Sequence, residues 1–285
     1  MVINGFLRLI IMEKSAWKLF EGWDSSRQDN NILKKDWAIF NELEGLLGKY
    51  FDFQKNEILK YLDDWNRLLA RFGGDPAYCN WREFRPLLLA REEGWSDWLV
   101  HLISKSKTGF FSEDLLKLAN FRREDYTSPI KAAREVTYEG YRADIVIKWR
   151  NSAFTHVEVK IGDSNLAKTY GTAERMRKKF KAEARAWYDF ILLMSNQVSE
   201  WDNIKNESQE KITPLTWEDI SISLRRSLLF SNEDIHWLVW AYSLLGAAEQ
   251  ILLGYPFIDK DKLNISNISV LDSMLRILKE GKNEK

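Results

Sequence analysis

Cysteine is almost missing. The single residue, Cys79, cannot close an internal disulfide, which fits a reducing compartment. Histidine is nearly as scarce. His101, His156 and His236 are the only three, and with one thiol they do not make up the usual Cys/His zinc set. Neither sign of charge dominates, because 42 basic residues face 42 acidic ones. A chain-wide basic footprint for nucleic acid is therefore lacking, and any such patch has to be local. Long apolar runs are missing too. The apolar stretch 2–12 is short and interrupted by Arg8, so it does not read as a bilayer span, and no small-residue cleavage site follows it. The expectation is a cytoplasmic protein with no membrane association. Walker A, Gly-x-Gly-x-x-Gly, Gly-x-Ser-x-Gly and His-Glu-x-x-His signatures are all absent, so no motif points to P-loop, dinucleotide, serine-hydrolase or zincin chemistry.

What remains is a chain of 285 residues, 45% apolar, which can build a sizeable core without staples. Thirteen tryptophans are expected mainly as core and helix-contact anchors; stacking on bases is the other use such rings have.

Residues 1–85 read as an N-terminal helical region. Trp17, Leu19, Phe20 and Trp23 recur at helical spacing, as do Trp37, Phe40, Leu43, Leu46 and Leu47, and then Ile58, Leu62, Trp65 and Leu69. Gly73-Gly74-Asp75-Pro76 breaks the pattern. Residues 86–285 read as one domain that ends in helices. A helix is expected from near Trp98, capped by Ser96 or Asp97, and another over Ser112–Phe121 with Ser112 as its cap. The period then changes. Ala133–Tyr138, Ala143–Trp149 and Phe154–Ile161 are short, β-branched or aromatic, and separated by turn residues. A helix over Leu166–Trp187, strands at Phe190–Met194 and Ile212–Leu215, a helix start at Thr216, and helices over Asn232–Leu253 and Ser266–Glu280 complete the chain. Three strands joined by short turns make an antiparallel meander, and the helix after them allows a parallel crossover. The predicted fold class is α/β, a mixed central sheet flanked by helices.

The chemistry concentrates in Tyr141-Arg-Ala-Asp144 to Val-Glu158-Val-Lys160. If this hairpin turns around Asn151, positions whose numbers add to 302 face each other. Asp144 then lies opposite Glu158, and Arg142 opposite Lys160. These four share one face, while Ala143, Ile145, Ile147, Val157, Val159 and Ile161 form an apolar reverse face for the core. A one-residue slip would destroy that separation. Two opposed carboxylates repel unless a cation sits between them. Mg²⁺, a hard cation that accepts carboxylate oxygens, suits the position, with the Val159 carbonyl as a further ligand. Lys160 can reach an attacking water or a phosphate. The same spacing also occurs in simple surface salt bridges. His156, at mid-strand, is expected as a packed or hydrogen-bonded neighbour rather than a general base.

Arg-Ala-Asp144-Ile with Val-Glu158-Val-Lys160 resembles the PD-(D/E)XK nuclease superfamily, with Ala143 in place of the motif's proline. The resemblance covers about residues 86–220 and implies a restriction-endonuclease-like core of helix, three strands, helix, strand. It implies a Mg²⁺-dependent DNA nuclease, with Mn²⁺ as a substitute metal. Asp144 and Glu158 would hold metal with Val159, and Lys160 would orient or activate water. Glu93, before Trp95-Ser-Asp-Trp98-Leu, is the implied third carboxylate, with Glu92 as rival. In Asp163-Ser-Asn165-Leu-Ala-Lys168-Thr-Tyr170, Asn165 stands where relatives carry glutamine. Prokaryotic defence or DNA processing is the implied setting.

Between 168 and 185 lie seven basic residues and two acidic ones. A solvated helix face is one reading. The other makes Lys168, Arg175, Arg177, Lys178 and Lys179, with Arg142 and Tyr170, the contacts to the nucleic-acid backbone. DNA is favoured over RNA as partner, and a homo-oligomer or a partner subunit is compatible. The alternative is a catalytically inactive module of the same fold that binds nucleic acid or a protein.

Overall fold

A computed structural model describes residues 30–83, 91–118, 129–162, 165–205, 212–259, 263, 265 and 267–283. The helical stripe at Trp17–Trp23 lies outside them. The chain forms two compact units, Met1–Asp52 and Phe53–Lys285. The described part of the first is helical, the opening of α1 (Asn30–Leu68). Everything that follows belongs to the second, residues 53–85 included.

Helix α1 passes into a 3-10 turn (Ala70–Phe72) that ends on Gly73. Gly73 and Gly74 hold φ values of 96° and 113°, which cost little only without a Cβ. Asp75 then accepts from the Ala77 N–H at 2.9 Å and starts a turn at Pro76.

The second unit is α/β, with a five-stranded mixed sheet flanked by helices. After α2 (Glu92–Lys105) and α3 (Phe110–Leu118) come β1 (Pro129–Tyr138), β2 (Tyr141–Trp149) and β3 (Ala153–Val159). Helix α4 (Lys168–Phe180) leads to β4 (Ala186–Leu193), and α5 (Val198–Lys205) leads to β5 (Ile212–Thr216). The strands lie in chain order. β1–β2–β3 are antiparallel, and β3–β4–β5 are parallel, as short turns and helical crossovers require. Helices α6 (Trp217–Phe230), α7 (Ile235–Ala247, extended by a π turn at Ala248–Leu252) and α8 (Ile268–Glu280) close the chain.

Both faces of the sheet are covered. On one, Ile145, Ile147, Phe190 and Leu192 meet Leu99, Ile103, Leu116 and Ile220 from α2, α3 and α6. On the other, Val146 and Phe154 pack with Met176, Phe180 and Trp187, and Ile191 and Leu193 with Leu166, Ala173 and Trp201. Trp65, Trp95, Trp149, Trp201, Trp217 and Trp237 are almost fully buried, so much of the tryptophan content is core. No described helix is long and apolar enough to cross a membrane.

Several helix boundaries differ from expectation. Helix α2 starts at Glu92 without a side-chain cap. Ser96 and Asp97 lie inside it, and Ser96 Oγ donates back to the Glu92 carbonyl at 3.0 Å. Ser112 likewise lies within α3, whose expected end at Phe121 is outside the described residues. Helix α4 ends at Phe180, not Trp187, because Trp187 enters β4 and stacks on Phe154 at 5.9 Å. Tertiary packing overrides the helical pattern there. Thr216 and Asp219 do cap α6 reciprocally, at 3.2 and 2.8 Å.

Beneath α6 runs a buried ion network. The Arg225 guanidinium, 1% exposed, donates to Asp75 at 2.6 Å and to Glu249 at 2.7 Å. The π turn carries Glu249 into that network. It also brings Gln250 to the Trp81 N–H at 2.9 Å.

Candidate active site

The hairpin register is the expected one as far as it runs. Ile145 pairs with Val157, Val146 with His156, and Lys148 with Phe154. The ladder stops before Asp144 and Glu158. Asp144 Oδ2 instead accepts the Val159 N–H at 2.8 Å, so a side chain takes over a bond the next strand residue would have made. The ladder opens on the other side as well. Arg134 pairs with Ile145 and Val136 with Ala143, while the pair between them, Glu135 and Asp144, is skipped. Glu135 has φ 52°, a left-handed conformation that is strained within a strand. Asp144 thus sits in a gap between three strands, freed from ladder pairing.

Three further charged groups converge on this gap. Glu158 and Lys160 are buried, at 4% and 5% exposure, and Lys160 Nζ lies 3.4 Å from Glu158 Oε1. The Lys160 backbone is fixed by its N–H to the Leu192 carbonyl at 2.9 Å. From α2, Glu92 Oε1 accepts the Ile161 N–H at 2.7 Å, just past Lys160. Glu93 points elsewhere. Its side chain is about half exposed and lies 4.0 Å from Arg142 Nη2. The geometry therefore brings Glu92, rather than Glu93, to the Ile161 backbone beside Lys160 and within the field of Asp144.

Burial, then the neighbouring Glu158 charge, pushes the Asp144 carboxyl up to about 6. Glu92 adds to the push, and the Val159 N–H and Lys160 oppose it. The net push upward shows that Lys160 does not offset the burial and the two carboxylates at Asp144.

Behind Glu158 lies His156, fully buried. Its Nδ1 is 3.0 Å from Asp189 Oδ1 and its Nε2 is 3.5 Å from Glu158 Oε2. Burial pulls the imidazole down, but Asp189 and Glu158 outweigh it and lift it to about 9. Asp189 also accepts from Arg177 Nε at 2.7 Å and Trp187 Nε1 at 2.8 Å. Burial raises Asp189, yet these donors and the His156 charge hold it below the usual carboxylate range.

Among the described residues, no group of three or more His, Cys, Asp and Glu side chains is drawn together closely enough to hold a metal ion. Two features nonetheless suit a hard cation. Glu158 Oε2 is buried without a hydrogen-bond partner, and the Asp144 carboxyl is burdened by two neighbouring carboxylates. Both are oxygen donors of the kind Mg²⁺ takes.

The basic helix is less available than its sequence suggests. Arg175 and Lys178 both pair with Glu139 at 2.8 Å, and Lys179 donates to the Thr137 carbonyl at 2.8 Å. Arg177 reaches inward to Asp189, and Tyr170 stacks on Trp201 with ring centroids 5.2 Å apart. Arg142, half exposed, lies 3.5 Å from Glu135. Lys168 and Asn165 are exposed at the start of the helix; Asp163 lies outside the described residues. Sequence reasoning missed the partnership of His156 with Asp189. Alternation placed His156 on the face of Glu158, but nothing local reveals a partner on β4.

Compared with protein-family models, with curated proteins and with solved structures, the chain finds no match in any of the three.

Proposed function

We propose that this chain is a Mg²⁺-dependent nuclease that hydrolyses phosphodiester bonds of DNA on a restriction-endonuclease-like core. The observation that carries this reading is the convergence of Asp144, Glu158, Glu92 and Lys160 where the sheet opens around Asp144. Asp144 and Glu158, with the Val159 carbonyl and Glu92 in support, are the residues that would hold the cation. A divalent ion bound there supplies an acidified water and neutralises charge developing on the phosphate. The protein's own part is positioning. Lys160, desolvated and held against Glu158, is placed to orient a water or a phosphate oxygen. Arg142 can exchange its exposed pairing with Glu135 for a backbone phosphate, a contact that carries no base information. A role in prokaryotic defence or DNA processing rests on the motif resemblance.

The test is plasmid nicking with Mg²⁺ and with EDTA, alongside an RNA substrate. Cleavage that needs Mg²⁺ and is lost in Asp144→Ala and Lys160→Ala supports the reading. Equal cleavage by wild type and both variants removes the site assignment.

One observation favours a second reading, a catalytically inactive module that binds nucleic acid or a protein partner. Glu158 already faces two cationic side chains, Lys160 at 3.4 Å and His156 at 3.5 Å, and much of the basic helix is paired internally. Calorimetry separates the two. Binding of Mg²⁺ or Mn²⁺ by the wild type supports the enzyme, and no binding supports the module.

A further inference from the structure

A chain of buried charges continues from the candidate site into the sheet and out to helix α4. It runs Lys160, Glu158, His156, Asp189, Arg177, with successive contacts of 3.4, 3.5, 3.0 and 2.7 Å. Its three middle members are almost solvent-free: His156 is 0%, Glu158 4% and Asp189 4% exposed. His156 and Asp189 are register partners on the parallel strands β3 and β4, so the backbone fixes their spacing.

The arrangement constrains the imidazole. Asp189 receives donors from Arg177 and Trp187, as an acceptor-only carboxylate does. A carboxylate therefore faces each ring nitrogen. His156 Nε2 stands 3.5 Å from Glu158 Oε2 on one side, and Lys160 Nζ stands 3.4 Å from Oε1 on the other. The Glu158 carboxylate is thereby clamped from two directions.

We propose that His156, held by Asp189 and Arg177, is a positioning residue that fixes the Glu158 carboxylate in the cluster with Lys160 and ties it to helix α4. The proposal rests on the nuclease reading for its consequence, but its geometric content stands apart. Partners that hold the ligands of a metal site in place are commonly worth 10–100-fold in activity or metal affinity.

Asp189→Asn is the informative change, because it keeps shape and removes the charge that holds the ring. His156→Phe is the stronger change, and its folding is checked by circular dichroism. In the nicking assay Asp189→Asn is expected to lower kcat roughly 10-fold or more, with KM and the DNA Kd measured in EDTA within about 2-fold of wild type. A merely structural role would leave kcat unchanged once the protein is folded, and that result overturns the proposal. So does a rise confined to KM. If the wild type itself cleaves nothing, the nuclease reading fails, and the crystal structure of Asp189→Asn decides the positioning claim alone. Glu158 moved off Lys160 upholds the claim, and Glu158 still 3.4 Å from Lys160 overturns it.

Discussion

Replacing Asp144 by Asn should make the metal-free protein more stable. The Asp144 carboxyl rises from its ordinary 3.8 to about 6, through burial and then the Glu158 charge. A carboxyl with a folded pKa above its unfolded one destabilises the fold once pH exceeds both. The native state holds a proton that the unfolded state has already released, so stability falls as pH rises between the two values. Below about 4 there is no penalty, and above about 6 it is complete. A shift of about 2 pH units at ~1.4 kcal/mol each gives a penalty on the order of 3 kcal/mol. The substituted amide would carry no charge and would still offer an oxygen to the Val159 N–H. At about 2–4 °C per kcal/mol for a unit of this size, the variant should melt roughly 6–12 °C above wild type at pH 8 in EDTA. At pH 5, midway between the two values, the unfolded carboxyl is already ionised while the native one is not, and the gap should fall to about half. Thermal melts by circular dichroism at the two pH values measure this. A variant no more stable than wild type at pH 8, or a gain equal at both pH values, would refute the reasoning.

Glu92→Gln should reduce Mg²⁺-dependent nicking at least 10-fold while Glu93→Gln stays within about 3-fold, since only Glu92 reaches the Ile161 backbone beside Lys160; parallel nicking rates decide it. Arg225→Leu leaves Asp75 and Glu249 buried without their shared cation and should cost about 3–5 kcal/mol in urea denaturation. A loss below ~1 kcal/mol would show that water reaches those carboxylates. Gly246→Ala places a methyl 2.2 Å from the Trp81 ring, and the overpacking of about 1–3 kcal/mol should exceed the helix-propensity gain of about 1 kcal/mol, lowering Tm. The His156 imidazole, lifted to about 9, contributes stability that is full below about 6.5 and is lost as pH climbs through 9. His156→Gln should flatten that part of the stability–pH curve.

The order of strands and of most helices was legible in the residues because each element carries its own period; helix α5, in a charged stretch between β4 and β5, was not among the expected elements. The hairpin register followed from one constraint, keeping Ile145, Ile147 and Val159 off the polar face, and the ladder obeys it from Ile145 to Phe154. The helix start at Thr216 was visible in the sequence, and the structure adds its reciprocal cap with Asp219, a partner within the same turn. Legibility ended where a distant segment decides. Glu92 and Glu93 are adjacent in sequence but about 100° apart around a helix, and which of them faces Asp144 depends on how α2 docks. Trp187 fits the helical stripe of α4, yet Phe154 on another strand draws it into β4. The basic count of α4 says nothing about Glu139, which takes up two of its cations from the turn between β1 and β2. His156 and Asp189 meet only through parallel pairing of β3 with β4.

The central proposal is that Asp144 and Glu158 together hold a divalent cation, and a crystal soaked in Mn²⁺ and measured for anomalous scattering tests it most directly. The expected result is a single peak against the carboxylates of Asp144 and Glu158, absent from an Asp144→Asn crystal treated in the same way. A fully soaked crystal with no peak there, and with Lys160 still paired to Glu158, would contradict it.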